Sequence, residues 1–235
     1  IRDPEMSRGL GDVYTRQVMD MNQYVIVDLE MCKVPLVKRT EQFSCSKEII
    51  EIGAVLINEK LEIADTFKTY VAPEYGTLDD YIRNLTGIKN SDIENAPVFH
   101  KALEQFVKWL PDNAIIVSWS DNDERQISKE MYCKSIEIPE FEKYLDNWED
   151  CQEEFSERMN TSKLYRLSEA LIITDLEYDE SFHDALVDAK NTALLFAKMK
   201  KETELQLSPY YVVESCSDTF TYKPFASMQI KCNCV

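Results

Sequence analysis

No apolar run in this sequence approaches the ~18 residues that a membrane-spanning helix requires. The opening stretch, Ile1–Asp20, mixes charges with glycine and lacks the apolar centre of a secretory signal. Positive charge is scarce as well: 26 basic residues stand against 43 acidic ones, a net charge of −17. Proteins that grip long phosphate backbones draw on basic patches. This balance disfavours such a grip, so any phosphate must be held locally, through cations in an acidic cleft. Histidine occurs only at positions 100 and 183, which makes the list of possible catalytic imidazoles short. Repeats and low-complexity segments are missing. Seven cysteines (32, 45, 133, 151, 216, 232 and 234) are scattered and odd in number, which reads as reduced thiols in a cytoplasmic protein.

What is present suits one large domain or a domain with an appendage: 235 residues, of which 44% are hydrophobic. The chain is organised around Tyr24-Val25-Ile26-Val27-Asp28-Leu29-Glu30. Its apolar β-formers predict a strand buried on both faces. Side chains alternate across a strand, so Asp28 and Glu30 project side by side, and the reading puts them at the carboxyl end, where open α/β sheets carry their sites. Carboxylates that close repel one another unless a cation lies between them, which suggests a divalent metal.

Ahead of this strand, residues 1–20 show neither helical nor strand periodicity and hold two of the five glycines. They read as a non-native or disordered leader, with Met19 or Met21 as the natural start. Behind it, Cys32–Ser46 is a polar loop with Lys33, Lys38, Arg39 and Lys47 in or near it. Ile49–Ile57 and Leu61–Val71 predict an antiparallel pair around the turn Asn58-Glu59-Lys60. Gly53 within the second strand suggests close approach of another backbone, of a ligand, or simple packing. Pro97 is expected to open a helix whose apolar face runs from Val98 to Leu110, leaving His100 off that stripe on the surface. Ala114–Trp119 predicts a fourth strand, ending in Asp121, Asp123 and Glu124 at the start of a helix that reaches about Cys133. Pro139–Tyr144 reads as a connection, Leu145–Asp150 as a short strand, and Cys151–Met159 and Leu164–Ile172 as helices. His183–Met199 is expected to be one long helix with His183 at its start. Residues 201–235 read as an appendage, with a hairpin from Tyr210–Glu214 to Phe220–Tyr222. The order implies a mixed sheet with helices on its faces and the first strand central.

Asp28-x-Glu30, an Asp after the fourth strand, and His183-Asp184-Ala185-Leu186-Val187-Asp188-Ala189 together resemble the DEDDh exonuclease family. Leu85-Thr86-Gly87-Ile88, Ala96-Pro97 and Phe106-x-x-Trp109-Leu110 are similar to the segment that family carries between its first two motifs. Ser118-Trp119-Ser120-Asp121-Asn122-Asp123 departs from the His-Asn pattern of many members and looks closer to the Eri-type and KapD-like branch, with Asp123 favoured over Asp121 as the motif acid. The resemblance spans about residues 22–199 and implies an RNase H-like, mixed five-stranded α/β fold with helices on both faces. It also implies hydrolysis of terminal phosphodiester bonds from the 3′ end of single-stranded nucleic acid, releasing nucleoside 5′-monophosphates. Two Mg²⁺ or Mn²⁺ ions would be held by Asp28, Glu30, Asp123 and Asp188, with His183 as general base. Glu30, Met31, Leu85 and Thr86 would hold the terminal nucleotide. RNA is favoured as substrate. A DNA-trimming or proofreading enzyme is one alternative, a regulatory protein-binding module on the same fold a second, and a zinc site at Cys216, Cys232 and Cys234 a third.

Overall fold

A computed structural model of the chain describes residues 23–40 and 43–211. Five strands form one sheet: β1 (Gln23–Lys33), β2 (Lys47–Ile57), β3 (Ile63–Tyr70), β4 (Ala114–Ser118) and β5 (Trp148–Asp150). Their order is β3-β2-β1-β4-β5, so β1 is central as the sequence implied. β1 pairs antiparallel with β2 and parallel with β4; β2–β3 is antiparallel and β4–β5 parallel. Eight helices are present among the described residues: α1 (Asp80–Thr86), α2 (Asn90–Ile93), α3 (Phe99–Trp109), α4 (Asn122–Cys133), α5 (Pro139–Leu145), α6 (Cys151–Arg158), α7 (Leu167–Ile173) and α8 (Ala185–Lys201). None of them is long and apolar enough to cross a membrane.

The period-two alternation of β1 divides the core into two layers. Val25, Val27 and Leu29 face Phe99, Leu103 and Phe106 of α3, Ile127 of α4 and Phe141 of α5. Ile26 points the other way, onto a layer with Phe155 of α6, Leu171 of α7 and Phe196 of α8. Each such side chain, removed wholly from water, contributes about 1.5–3 kcal/mol. The uninterrupted apolar run of β1 is therefore what a central strand between two helical layers demands. Leu205, Leu207 and Tyr211 pack on the second layer, and the Ser208 N–H donates to the Ile173 carbonyl at 2.7 Å. Residues 1–22 and 212–235 lie outside the described residues, as do the leader, most of the proposed hairpin, and Cys216, Cys232 and Cys234. Cys32, Cys45, Cys133 and Cys151 are buried thiols.

Several boundaries differ from the sequence reading, each for a local reason. β1 does not end at Glu30: it runs on to Lys33, paired with β2 and, at Lys33, bridged to Thr77, with a bulge at Glu30/Met31. α3 begins at Phe99 rather than at Pro97, because Val98 is extended at the N-cap and Pro97 uses its carbonyl to accept from the Ala72 N–H. Pro139–Leu145 is a helix rather than a connection, with proline in its first turn and Phe141 and Tyr144 buried beneath it. His183 lies outside the last helix, which starts two residues later.

Candidate active site

The parallel ladder between β1 and β4 ends at Val27 and Ser118. Beyond it β4 turns away, leaving one edge of β1 without a strand partner just where Asp28, Leu29 and Glu30 stand. α4 fills that gap: the Leu29 N–H donates to the buried Asp123 carboxylate. Asp123 thus lies against β1 beside Asp28 and Glu30, whereas Asp121 does not. Asp121 stands at the N-cap of α4 without a side-chain capping bond, and its carboxylate pairs with Arg125 at 2.5 Å.

The other side of the site comes from the start of α8, which rests on β2 at Gly53. A Cβ at that position would lie 2.2 Å from both the Ala185 carbonyl carbon and the Leu186 nitrogen. Of the three sequence explanations for this glycine, close approach of another backbone is the one observed. Gly53 is the cross-strand partner of Asp28, so this contact sets the helix start directly beside the first carboxylate. The Asp184 side chain caps α8, accepting from the Leu186 and Val187 N–H groups at 3.1 and 3.2 Å. His183, just before the cap, adopts the left-handed conformation with φ 70°. That turn lets its N–H donate to Asp188 Oδ2 at 2.8 Å, a contact that a continuous helix would not allow. Its imidazole Nδ1 lies 4.0 Å from Glu30 Oε1, and the side chain is half-exposed. One ligand atom from each of Glu30, His183 and Asp188 falls within 4.8 Å of the others.

The carboxylates of this cluster are held towards their protonated forms. Burial, followed by the charges of Asp123, Asp188, Glu30 and Glu51, pushes Asp28 well above the usual aspartate range. Burial, then Asp188, Glu51 and Asp123, raises Glu30 to about 8. Asp123 rises to about 7, again through burial, against the opposing pull of the Leu29 N–H. Asp188 is raised by burial too, and its Oδ1 is buried without a hydrogen-bond partner among the described residues. Carboxylates this crowded, with an unsatisfied buried oxygen, fit a hard divalent cation.

A cleft of about 620 Å³ adjoins the cluster and is lined by Glu30, Met31, Leu85 and Asp123 together with Lys33, Lys47, Arg125, Lys129 and Tyr81. Of the four basic residues in or near the Cys32–Ser46 loop, Lys33 and Lys47 line this cavity, where Arg125 and Lys129 of α4 join them. Arg39 turns inward instead, donating to the Val34 carbonyl from its Nε and Nη2 at 3.1 and 2.9 Å. Thr86 backs the end of α1: its hydroxyl donates to the Ile82 carbonyl and accepts from the Ile88 N–H. His100 is on the surface, 3.2 Å from Glu104. Glu51, Lys68 and Asp184 also border the cluster, and sequence reasoning assigned none of them a part. A lone acid inside Ile49-Ile50-Glu51-Ile52 is the one signal that pointed to Glu51.

The model of the RNase_T family, described as exonuclease, matches residues 25–196. The chain belongs to this family. It is 31% identical over 183 residues to ERI1 exoribonuclease 2 of Danio rerio, covering 68% of this chain and 32% of that protein. Over 182 residues it is 30% identical to the PolC-type DNA polymerase III of Caldanaerobacter subterraneus, covering 77% of this chain and 12% of the polymerase. The 3′-5′ exoribonuclease 1 of Rattus norvegicus is 27% identical over 169 residues, covering 66% and 47%. The chain therefore spans less than half the length of these curated relatives. Among solved structures, the nuclease domain of 3′hExo, a DEDDh family member bound to rAMP, matches with a TM-score of 0.66 at 24% identity, covering 80% of this chain and 96% of that one. A 3′-exonuclease solved for 3′-end specific recognition of a histone mRNA stem-loop matches with a TM-score of 0.67 at 22% identity, covering 87% and 95%. The exonuclease fold and the DEDDh resemblance with its Eri-type leaning are thus borne out.

Proposed function

We propose that this chain is a divalent-metal-dependent 3′–5′ exonuclease that removes nucleoside 5′-monophosphates from single-stranded nucleic acid, with RNA the favoured substrate. The observation that carries the reading is the convergence of Asp28, Glu30, Asp123 and Asp188, from three elements, beside His183. Asp28, Glu30 and Asp188 would hold two Mg²⁺ or Mn²⁺ ions, with Asp123 binding directly or through water. Bound there, the ions would neutralise charge on the phosphate and acidify the attacking water.

His183 accepts the proton of that water. Its half-exposed ring has an accessible edge, while its main chain is anchored to Asp188. The cleft beside Glu30 and Met31 receives the terminal nucleotide against Leu85, and Thr86 stiffens the helix end from which Leu85 projects. Lys33, whose Nζ lies 5.6 Å from the centre of the Tyr81 ring, together with Lys47 and Lys129 offers cationic and aromatic contacts to the next nucleotides. The relatives named exoribonucleases support RNA, and the polymerase relative supports DNA as the second reading. Incubating the protein with matched 5′-labelled RNA and DNA oligonucleotides, with Mn²⁺, Mg²⁺ or chelator, tests the proposal. Ladders shortened from the 3′ end, in metal only and faster on RNA, are expected. Equal or faster DNA degradation would move the substrate to DNA, and no hydrolysis of either would leave a protein-binding module on this fold.

A further inference from the structure

Lys68 enters the site from β3, an edge strand whose sequence gives no hint of a catalytic part. It is the cross-strand partner of Gly53, the position on which the start of α8 rests. Its Nζ reaches over that notch to Asp184 Oδ2 at 2.5 Å and to Glu51 Oε1 at 2.6 Å. The Tyr70 ring lies beside it, 5.5 Å from Nζ to the ring centre. Glu51 is fully buried and stands opposite Glu30 across the β1–β2 ladder. Asp184 divides its two oxygens: Oδ1 caps α8 through the Leu186 and Val187 N–H groups, and Oδ2 is given to Lys68. The helix cap is thereby tied to the sheet through one ammonium group.

The tie bears on His183 because of what flanks that residue. On one side its N–H is donated to Asp188; on the other its peptide leads straight into Asp184. A left-handed histidine is held only by its surroundings, since the conformation itself is unfavourable for a residue with a Cβ. We propose that Lys68 is a positioning residue for His183: by pinning Asp184 to Glu51 across Gly53, it fixes where the imidazole stands relative to Glu30 and Asp188. The inference rests on the exonuclease reading and deepens it. The part-exposed Lys68–Asp184 pair contributes little to folding, whereas Lys68→Met also strands the buried Glu51 carboxylate; Asp184→Asn, which leaves Lys68 on Glu51, therefore isolates the geometry imposed on the residue beside the cap.

The test compares Lys68→Met, Lys68→Arg and Asp184→Asn, the last keeping an oxygen to cap α8 while removing the charge that Lys68 holds. Rates on a short 5′-labelled single strand in Mn²⁺ are measured in the parent and in a His183→Asn background, asparagine being tolerated in the left-handed region. Lys68→Met and Asp184→Asn are expected to lower kcat by about tenfold to a hundredfold, the range for groups that orient a catalytic ligand, with little change in KM. Lys68→Arg should recover most of the rate. In the His183→Asn background Lys68→Met should cost nothing further, because an effect exerted through His183 disappears with it. Amide exchange of the peptide spanning residues 181–187 gives a reading independent of activity: faster exchange is expected in Lys68→Met and parent-like exchange in Lys68→Arg. Unchanged kcat in Lys68→Met, or the same fold-loss in both backgrounds, would overturn the inference. If the parent protein itself hydrolyses nothing, the exonuclease reading fails, and the exchange comparison alone decides whether Lys68 holds the His183 segment.

Discussion

Asp188 carries a hydrogen bond from His183 on one oxygen and, among the described residues, none on the other, while Asp28 and Glu30 stand among like charges. Removing one of these charges should relieve repulsion in the metal-free protein and destroy the cation site. Asp28→Asn and Asp188→Asn are therefore expected to fall below about a thousandth of the parent rate, yet to melt no lower than the parent in chelator. Activity in Mn²⁺ and thermal melts in chelator measure both halves; appreciable turnover by either purified variant would refute the metal assignment. The two neighbouring acids of α4 should separate cleanly. Asp123→Asn, at the carboxylate that receives the Leu29 N–H, is expected to cost several orders of magnitude in rate. Asp121→Asn should leave the rate nearly unchanged and cost about 0–1 kcal/mol of stability, the worth of an exposed pair with Arg125. A reversed pattern of rates would show that Asp121 is the ligand.

At the scale of the elements, the site is an intersection of three of them, and the glycine at the crossing is its most vulnerable point. Gly53→Ala would drive a methyl group into the backbone of Ala185 and Leu186, which cannot yield without shifting α8. About 1–3 kcal/mol or more of stability should be lost, and kcat should drop with it because Asp188 and His183 ride on that helix start. Circular dichroism melts and single-turnover rates would register the two losses, and a parent-like protein would mean that the contact is not rigid. The same intersection explains what could be read from the chain in advance. β1, β2 and β4 were legible because they are apolar runs buried on both faces, and Asp28-x-Glu30 was legible because a strand alternates. The contact between His183 and Asp188 was not. An ideal helix puts those residues about 140° apart, and only the left-handed turn at His183, which no local pattern announces, brings them together. Lys68 escaped for a related reason: it lies on an exposed edge strand, where a lysine is ordinary, and its role depends on the depth of a notch made by a residue in another strand.

For the whole molecule, the buried acids set how stability follows pH. Asp28, Glu30 and Asp123 ionise at higher pH in the folded chain than in the unfolded one, so the folded state binds more protons between about pH 4 and 8. Their contribution is favourable below the unfolded pKa and is lost as pH rises through the folded values, near 7 for Asp123 and 8 for Glu30. In chelator the melting temperature should therefore fall between pH 5 and 8 by an amount on the order of 5 °C. Saturating Mn²⁺ at pH 8 should restore it, and a flat profile in chelator would contradict the crowding of the carboxylates. The −17 charge acts on substrate capture. With Lys33, Lys47, Arg125 and Lys129 lining the cleft, kcat/KM at fixed divalent ion should decline with monovalent salt with a slope of about two or three phosphates. Substrates of a few nucleotides should be cut nearly as well as long ones. A slope of about six or more phosphates, with strong length dependence, would require a longer basic track.

The left-handed backbone at His183 has a practical consequence. Alanine there would bear a conformational penalty of about 1–2 kcal/mol, whereas asparagine tolerates that region well. His183→Asn should consequently fold as firmly as the parent and leave the carboxylates in place while lacking the proposed proton acceptor. It is the variant with which to capture, in Mg²⁺ or Mn²⁺, the uncut 3′ ends that the proposed exonuclease would select from a mixed pool, and sequencing the captured strands would report its preference without a single bond being broken.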